Sequence, residues 1–206
     1  GDRYEILVAA QVALIHRVPI AHIHGGEVTE GAFDDAIRHS VTKMSSLHFT
    51  SCEEYRHRVI QMGEHPSRVF DVGSLGVENI KAVPLMTKDE LEASLDFKID
   101  TQTILVTYHP VTLGGDPAKD IREFLDALDR FKDLKVIFTM PNSDTGRDAI
   151  ALAVENYVEK HSNSAKAYTS LGLRRYLSTL QFVKAAVGNS SSGIIEVPSF
   201  GIPTLN

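Results

Sequence analysis

Hydrophobic and polar residues follow two periods along the chain, which together predict helices alternating with strands. Apolar residues at helical spacing predict helices over residues 4–16, 53–62, 74–81, 88–95, 120–131, 148–160 and 173–180. Shorter runs rich in β-branched and aromatic residues predict strands over residues 18–24, 47–50, 69–72, 103–107, 135–139, 165–168 and 182–187. Because strands separated by helices pair in parallel, we predict an α/β protein with parallel sheets.

The sequence changes character after Gly73, where the regular alternation gives way to a helix and a proline-containing connection. We interpret this segment as the crossover between two domains, residues 1–75 and 76–206, since 206 residues are enough for two small domains. The chain starts at Gly1 without a methionine and stops in a segment that predicts a strand. We therefore expect both ends to be cut and the first domain to be incomplete.

Composition and charge narrow the classes of function. With a formal net charge of -6 and no basic run longer than Arg174-Arg175, the chain lacks the basic patch of a nucleic-acid-binding protein. Its single cysteine, Cys52, excludes an internal disulfide framework and a thiolate zinc site. No apolar run is long enough to span a bilayer and no signal peptide is visible, so we expect a cytoplasmic protein without a membrane partner.

Titratable side chains are concentrated in residues 22–39. The cluster holds three histidines, three carboxylates and an arginine around Gly25-Gly26: His22, His24, His39, Glu27, Asp34, Asp35 and Arg38. Since each would cost free energy if buried without a partner, we expect them to converge on a site. The strand before them ends at the glycines, and Asp34 or Asp35 can cap the next helix. The cluster therefore lies at the carboxyl end of a strand, where open parallel sheets bind ligands.

Two plainer interpretations of this cluster stay open. A solvated loop with one capping aspartate is the commoner fate of any single acidic residue in such a segment. The spacing of His22 and His24 could suggest a metal ion, but alternate strand positions fix no third ligand. We therefore predict no metal site.

The motif GNSSSG at residues 188–193 is a second candidate site, at a predicted turn from a strand to a helix. Small residues there leave backbone N–H groups near the positive end of the helix dipole, and serine hydroxyls add donors, so a phosphate fits. Glu196 could accept hydrogen bonds from a ribose diol. An ordinary serine N-cap is the alternative. No Gly-Lys-Ser/Thr sequence follows, which disfavours ATP hydrolysis.

Polar residues also follow the predicted strands over 103–107 and 135–139. His109 precedes Pro110, which keeps it out of a helix, and Asn142 follows the next strand. A lone histidine in such a place is more often structural than catalytic. Together with GNSSSG, however, three strand ends offer polar groups, which predicts the rim of a cleft.

These motifs together resemble the UDP-N-acetylglucosamine 2-epimerases, most of all the hydrolysing branch that feeds sialic-acid and legionaminic-acid synthesis. The resemblance covers essentially the whole chain, and the motifs occur in the same order: GDR, HIHGGE, DDAIRH, YHPVT, PNSDTG and GNSSSGIIEVPSFGIPTLN. It implies a GT-B type fold, in which two Rossmann-like domains hold a nucleotide sugar between them. It also implies that the amino-terminal part and the carboxyl-terminal end of the parent protein are absent.

The resemblance implies roles for individual residues as well. The family removes the proton at C2 of the sugar, expels UDP to give a glycal, and hydrates the glycal to a free manno-configured sugar, without a metal or redox cofactor. By this comparison, acid–base work falls to Asp2 and Asp34, Arg38 supports them, and His109 lies near the diphosphate. The same comparison gives UDP binding to His109, Ser190, Ser191 and Glu196, and we add Asn142 because it lies at the predicted rim of the cleft.

The sequence departs from the family pattern at His24, where the animal enzyme and the non-hydrolysing relatives carry a glutamate. An imidazole exchanges protons near neutral pH but supplies no fixed negative charge, so we expect Glu27 to share the catalytic role. A GT-B glycosyltransferase and an inactive nucleotide-sugar binder are the alternative functions. We expect a UDP-sugar partner and a homo-oligomer, a dimer or tetramer. This 206-residue chain should bind UDP without turnover, because Asp2 has no fixed position.

Overall fold

The computed structural model describes residues 3–111, 113–142 and 146–206, so Asp2, a predicted catalytic carboxylate, lies outside the described residues. The chain divides into two compact units, Gly1–Glu78 (unit 1) and Asn79–Asn206 (unit 2). Both are built from helices and parallel strands, as the hydrophobic pattern predicts. None of the helices in the described ranges is long and apolar enough to cross a membrane.

Unit 1 contains a three-stranded parallel sheet in the order β1-β2-β3. Its strands are β1 (Ala21–Ile23), β2 (Leu47–Thr50) and β3 (Val69–Asp71). Its helices are α1 (Tyr4–Ile15), α2 (Asp34–Met44) and α3 (Glu53–Gln61), with a 3₁₀ turn over Pro66–Arg68 and α4 (Leu75–Ala82) beginning in unit 1. In-register pairing places Ile23 beside Phe49 and Thr50 beside Asp71, so the strands end at one edge.

Helix α2 packs by an apolar stripe in which Ile37 and Val41 meet Ala10 of α1. Its start differs from the prediction, because neither Asp34 nor Asp35 caps it. Phe33 is the N-cap residue and makes no side-chain cap bond, while both aspartates lie inside the first turn. Their negative charges are favourable there, next to the positive end of the helix.

Unit 1 also exposes a large apolar surface. Ile23, Leu47 and Phe70 point away from the buried side of the sheet and remain 47%, 41% and 43% exposed. Helix α1 adds exposed apolar side chains along most of its length: Tyr4, Ile6, Val8, Val12, Leu14 and Ile15. Parallel sheets are normally covered on both faces, so this surface is of the kind that proteins bury against another element.

Unit 2 contains a five-stranded parallel sheet in the order β6-β5-β4-β7-β8. Its strands are β4 (Thr103–Thr107), β5 (Lys135–Thr139), β6 (Ala165–Tyr168), β7 (Ala185–Gly188) and β8 (Thr204–Leu205). Its helices are α5 (Lys88–Leu95), α6 (Pro117–Leu128), α7 (Arg147–Lys160), α8 (Gly172–Leu180) and α9 (Ser192–Ile195), with a 3₁₀ turn over Val197–Phe200.

Both faces of this sheet are covered. Leu105 and Ile137 pack with buried leucines of α5 and α8 on one face. Val106 and Phe138 pack with α6 and α7 on the other. Because successive strand residues point to opposite faces, these continuous apolar runs are what a doubly covered sheet requires.

Two element boundaries in unit 2 differ from the predictions for local reasons. Helix α6 begins at Pro117, three residues earlier than predicted, because the Asp116 carboxylate accepts hydrogen bonds from the N–H groups of Ala118 and Lys119. The helix expected after GNSSSG is only one turn long and passes into the 3₁₀ turn that contains Pro198. A helix that short has a weak dipole, so binding at this loop depends on individual donors.

Candidate active site

The turn after β1 is fixed by two close backbone approaches. His24 donates its N–H to the carbonyl of Phe49 at 2.8 Å and adopts a left-handed conformation, with φ of 64°. Gly26 follows with φ of +83°, and a Cβ there would collide with the carbonyl oxygen of Tyr55 in α3. Only glycine fits, so the sequence Gly25-Gly26 holds the turn against α3.

The two histidines of the HIH motif have separate partners. His22 is buried, with Nδ1 3.1 Å from the Thr42 hydroxyl of α2. His24 instead places Nδ1 2.6 Å from Oε1 of Glu27, because the left-handed turn takes it out of the strand alternation. Within residues 3–111, 113–142 and 146–206, no three His, Cys, Asp or Glu side chains are grouped so as to hold a metal ion.

Glu27 is the acceptor at the centre of unit 1's cluster. Besides His24, its Oε1 atom accepts a hydrogen bond from Ser51 Oγ at 2.9 Å. Burial alone would raise the pKa of the Glu27 carboxyl, but the hydrogen bonds from His24 and Ser51 and the nearby positive charge of Arg38 outweigh it. The pKa therefore lies below its usual value, and Glu27 is ionised at neutral pH.

Arg38 ties this loop to α2. Its guanidinium is almost fully buried and donates through Nη1 to Asp35 Oδ1 and to the Glu27 carbonyl, each at 2.6 Å. Nη2 donates to the Thr29 hydroxyl at 2.9 Å, and Asp35 Oδ1 also accepts from the Thr29 N–H. Asp34 begins the helix and is partly exposed. Asp35, three residues before Arg38, is thus a carboxylate that anchors it, and Asp35 was not among the predicted site residues.

In unit 2, the ends of β4, β5 and β7 bring three predicted polar segments together. The Asn189 side chain accepts from the His109 N–H at 2.7 Å and donates to the His109 carbonyl at 2.8 Å. The N–H of Asn142 points at Nδ1 of His109 at 3.4 Å. Asn189 was not predicted as a site residue, although it lies within GNSSSG. Its position in the sequence could have indicated a role, because it is the first polar residue after β7, an internal strand of the sheet.

Gly188 permits this approach. Its φ is +135°, and a Cβ would overlap the carbonyl of Thr107 on the neighbouring strand. Next to it, the hydroxyls of Thr107 and Thr139 are 2.6 Å apart, linking β4 to β5. Strand β4 is therefore held close to both β5 and β7 at the edge that carries the polar loops.

The GNSSSG loop leaves several polar groups available. The N–H groups of Ser190 and Ser191 donate no hydrogen bond to any part of the chain that the structure describes. Ser192 Oγ lies 2.5 Å from the hydroxyl of Tyr176, whose pKa is raised by burial. Oε2 of Glu196 is buried and has no hydrogen-bond partner among the described residues. Buried polar atoms are almost always paired, so this oxygen is suited to accept from a ligand.

The two sets of groups support different chemistry. The cluster in unit 1 combines an ionised carboxylate, an imidazole and a buried guanidinium. The imidazole can exchange protons near neutral pH, and the guanidinium can stabilise negative charge. The loops in unit 2 combine N–H donors, hydroxyls and a carboxylate oxygen, which suit a phosphate and a diol. Catalytic roles for His24, Glu27, Asp34, Arg38 and His109 stay predictions.

The sequence matches a known family and several curated proteins over its full length. The model of the family described as UDP-N-acetylglucosamine 2-epimerase matches residues 1–206. A Campylobacter jejuni protein named GDP/UDP-N,N'-diacetylbacillosamine 2-epimerase (hydrolyzing) is 45% identical, over 100% of this chain and 54% of its own length. Polysialic acid biosynthesis protein P7 of Escherichia coli is 43% identical, over 100% and 52%. A Legionella pneumophila UDP-N,N'-diacetylbacillosamine 2-epimerase (hydrolyzing) is 34% identical, over 100% and 54%. The chain spans about half the length of these relatives.

Solved structures share the fold at low sequence identity. UDP-GlcNAc 2-epimerase from Neisseria meningitidis, bound to UDP-GlcNAc, gives a TM-score of 0.76 at 18% identity over 100% of this chain and 57% of that chain. The S. aureus MnaA-UDP structure gives 0.73 at 17% identity, over 99% and 55%. The likeness confirms the predicted fold class.

Proposed function

Because the chain belongs to the UDP-N-acetylglucosamine 2-epimerase family, we propose that the full-length protein is a hydrolysing 2-epimerase of a UDP-sugar. It converts the UDP-sugar and water into UDP and a free N-acetylated sugar of manno configuration. The chain spans about half of its relatives, so this activity is assigned to the full-length protein. The 206-residue chain by itself binds UDP without turnover.

The reaction proceeds in two balanced steps. A base takes the proton from C2, the C1–C2 double bond forms, and the bond from C1 to the diphosphate oxygen breaks with its electrons leaving on UDP. Water then adds across the double bond, with hydroxide at C1 and a proton at C2 on the opposite face. Neither the elimination nor the hydration transfers a hydride or an electron, so these two steps need no redox cofactor. Inversion at C2 requires proton-transferring groups on both faces of the ring.

The hydrogen-bonded cluster after β1 is the observation that carries this proposal. A protein that only binds a nucleotide sugar has no need for an ionised carboxylate 2.6 Å from an imidazole beside a buried arginine. In the proposed reaction His24 and Asp34 supply proton transfer together with Asp2, Glu27 shares in the catalytic role of His24, and Arg38 stabilises negative charge.

Unit 2 holds the UDP part of the substrate in this proposal. The diphosphate lies against Ser190, Ser191 and His109, with Asn142 at the rim. Glu196 accepts hydrogen bonds from the ribose hydroxyls through its buried oxygen. No metal ion and no nucleic acid take part.

The names of the relatives suggest the sugar. Two of them are named for UDP-N,N'-diacetylbacillosamine and one for polysialic acid biosynthesis, so the product serves legionaminic-acid or sialic-acid synthesis. The protein acts in the cytoplasm as a homo-oligomer, a dimer or tetramer.

Product analysis of the full-length protein tests the proposal. It is incubated in D₂O with UDP-N-acetylglucosamine and, separately, with UDP-N,N'-diacetylbacillosamine. One of the two should give UDP and a free manno-configured sugar with deuterium at C2. Transfer of the intact sugar to an acceptor, or UDP release without inversion at C2, would contradict it and favour a glycosyltransferase or a simple hydrolase.

A further inference from the structure

Three side chains in unit 1 form a short chain of hydrogen bonds. Ser51 Oγ donates to Glu27 Oε1 at 2.9 Å, and His24 Nδ1 lies 2.6 Å from the same oxygen. Ser51 follows β2 and His24 follows β1, and these strands are parallel neighbours that end together. The sheet therefore brings a serine to a carboxylate that is 24 positions away in sequence.

Both ring nitrogens of His24 face groups that fix the same tautomer. An ionised carboxylate only accepts hydrogen bonds, so His24 Nδ1 must carry the proton that it shares with Glu27. On the other side of the ring, the N–H of Leu75 points at Nε2 at 3.4 Å, and an N–H only donates. Nε2 therefore presents its lone pair, which is the form of an imidazole that can take up a proton.

The backbone supports the same orientation. His24 is one of three non-glycine residues with positive φ within the described ranges. Such a conformation is unfavourable for a residue with a Cβ, and it persists where surrounding contacts hold it in place. Here those contacts are the N–H bond to the Phe49 carbonyl and the ring bond to Glu27.

We propose that Ser51 and Glu27 are positioning residues that fix the His24 imidazole in the tautomer with Nδ1 protonated and Nε2 as acceptor, and that His24 takes the C2 proton in the proposed reaction. This inference rests on the proposed function. The C–H electron pair becomes the second bond between C1 and C2, and UDP leaves with the electron pair of the broken C1–O bond. The proton moves to Nε2, whose long hydrogen bond from the Leu75 N–H breaks. Ionised Glu27 then stabilises the imidazolium, as carboxylates do for other catalytic histidines.

Few other ionisable groups face this chain of bonds among the described residues. Arg38 of α2 is a permanent cation paired with Asp35, and its charge acts on Glu27. Tyr55 of α3 has its pKa raised by burial and by the charges of Cys52 and Glu27, so it is neutral in the working range. Asp34 and Asp2 also transfer protons in the proposed function, so the shift of the acid limb between variants, and not its position in the wild type, reports on His24.

Rate profiles against pH for variants of the full-length protein test the inference. For Ser51→Ala we expect kcat to fall ~10-fold with little change in KM, because the group acts on proton transfer and not on substrate binding. The fall in rate at low pH should begin at higher pH. The Glu27 carboxylate has lost one hydrogen-bond donor, so it stabilises the His24 imidazolium more strongly and raises the pKa of His24. Ser51→Thr keeps the hydroxyl and should restore both values.

Glu27→Gln should move the limb in the opposite direction. Without the negative charge, His24 protonates at lower pH, and kcat falls ~10²-fold because the tautomer is no longer fixed. Ser40→Ala is the matched control, because that hydroxyl donates only to the Ala36 carbonyl within α2. An acid limb that stays in place for both Ser51→Ala and Glu27→Gln, even with a lower melting temperature, would overturn the inference.

A second measurement separates this inference from the proposed function. In the resting full-length protein, ¹⁵N NMR of labelled histidines should show His24 protonated at Nδ1, and Glu27→Gln should mix the two tautomers. A wild-type protein that releases UDP from neither sugar refutes the epimerase, and with it the role of His24 as base. An active protein whose His24 is protonated at Nε2 refutes the inference, both the positioning by Glu27 and Ser51 and the role of Nε2 as base, and leaves the epimerase standing.

Discussion

In unit 1, the polar side chains at the carboxyl end of β1 bond largely to one another, whereas in unit 2 several polar groups at the carboxyl edge of the sheet lack a partner among the described residues. Glu27 and Arg38 each meet several internal partners. Within the part of the chain that the structure describes, Glu196 Oε2 and the N–H groups of Ser190 and Ser191 meet none. An internally bonded cluster has its geometry set before a ligand arrives, while unmet donors and acceptors gain their partners from the ligand.

The two units also differ in how completely they are covered. Both faces of the unit 2 sheet are packed with helices, while unit 1 leaves Ile23, Leu47 and Phe70 in solvent. The ordered polar cluster of unit 1 thus lies in the unit whose sheet is covered less completely. This contrast predicts that changes in unit 1 act on rate and changes in unit 2 act on affinity.

The largest effect is expected for Asp34→Asn in the full-length protein. Turnover should fall ~10²–10⁴-fold, the usual worth of a proton-transferring group, while UDP affinity stays close to wild type. Single-turnover kinetics and calorimetry with UDP measure the two quantities. Asp133→Asn, an exposed position before β5, is the control. Equal losses of rate and affinity would show that Asp34 binds the nucleotide.

For Glu196→Gln we expect the opposite pattern, a loss of UDP affinity with turnover largely kept. Replacing the charged acceptor by an amide removes hydrogen bonds worth about 1.5–3 kcal/mol, so UDP should bind ~10–100-fold more weakly, with kcat at saturation little changed. Titration calorimetry on both the full-length protein and the 206-residue chain measures this. Glu155→Gln, exposed on α7, is the matched control. Unchanged UDP affinity would remove Glu196 from the binding site.

Gly188→Ala tests whether the close strand approach supports the unit 2 loops. The added Cβ would overlap the Thr107 carbonyl at a φ of +135°, so we expect a loss of about 1–3 kcal/mol in unfolding free energy and weaker UDP binding. Gly172→Ala is the control, because its φ is +65° and nothing lies within 4 Å of its added Cβ. Equal melting temperatures for the two variants would contradict the expectation that overlap with the Thr107 carbonyl destabilises Gly188→Ala.

The smallest effect concerns the acid stability of unit 1. The folded-state pKa of Glu27 lies below its usual value of 4.5, so its stabilisation is present above that value and is lost as pH falls through the folded-state pKa. Glu27→Gln should therefore cost about 1 kcal/mol at neutral pH and less in acid. Denaturant titrations across this range, with Glu30→Gln at an exposed position as control, measure the difference. A cost that does not depend on pH would contradict it.

The sequence predicts the order and type of the elements because the strands of unit 2 are long apolar runs between regular helices. The predicted ends of helices are wrong where a capping residue or a proline outweighs the hydrophobic periodicity. Asp116 and Pro117 start α6 early, and Pro198 limits α9 to one turn.

Individual residues of the candidate site were predictable where they stand in a motif, and their partners were not. Ser51 and Glu27 are 24 positions apart, and Asn189 and His109 are 80 apart, so only the pairing of strands brings them together. The left-handed turn at His24 is equally invisible in the sequence, because it is set by the Phe49 carbonyl of a neighbouring strand.

The hydrogen bonds of Asn189 have a consequence for the chemical stability of the protein during storage. Its amide donates to one atom of His109 and accepts from another, which a carboxylate is unable to do. Asparagine is among the thermolabile residues, and slow hydrolysis of this amide would set a negative oxygen against the His109 carbonyl. A sample in which this amide has hydrolysed should therefore lose the junction between these two strand ends, while its folded cores persist.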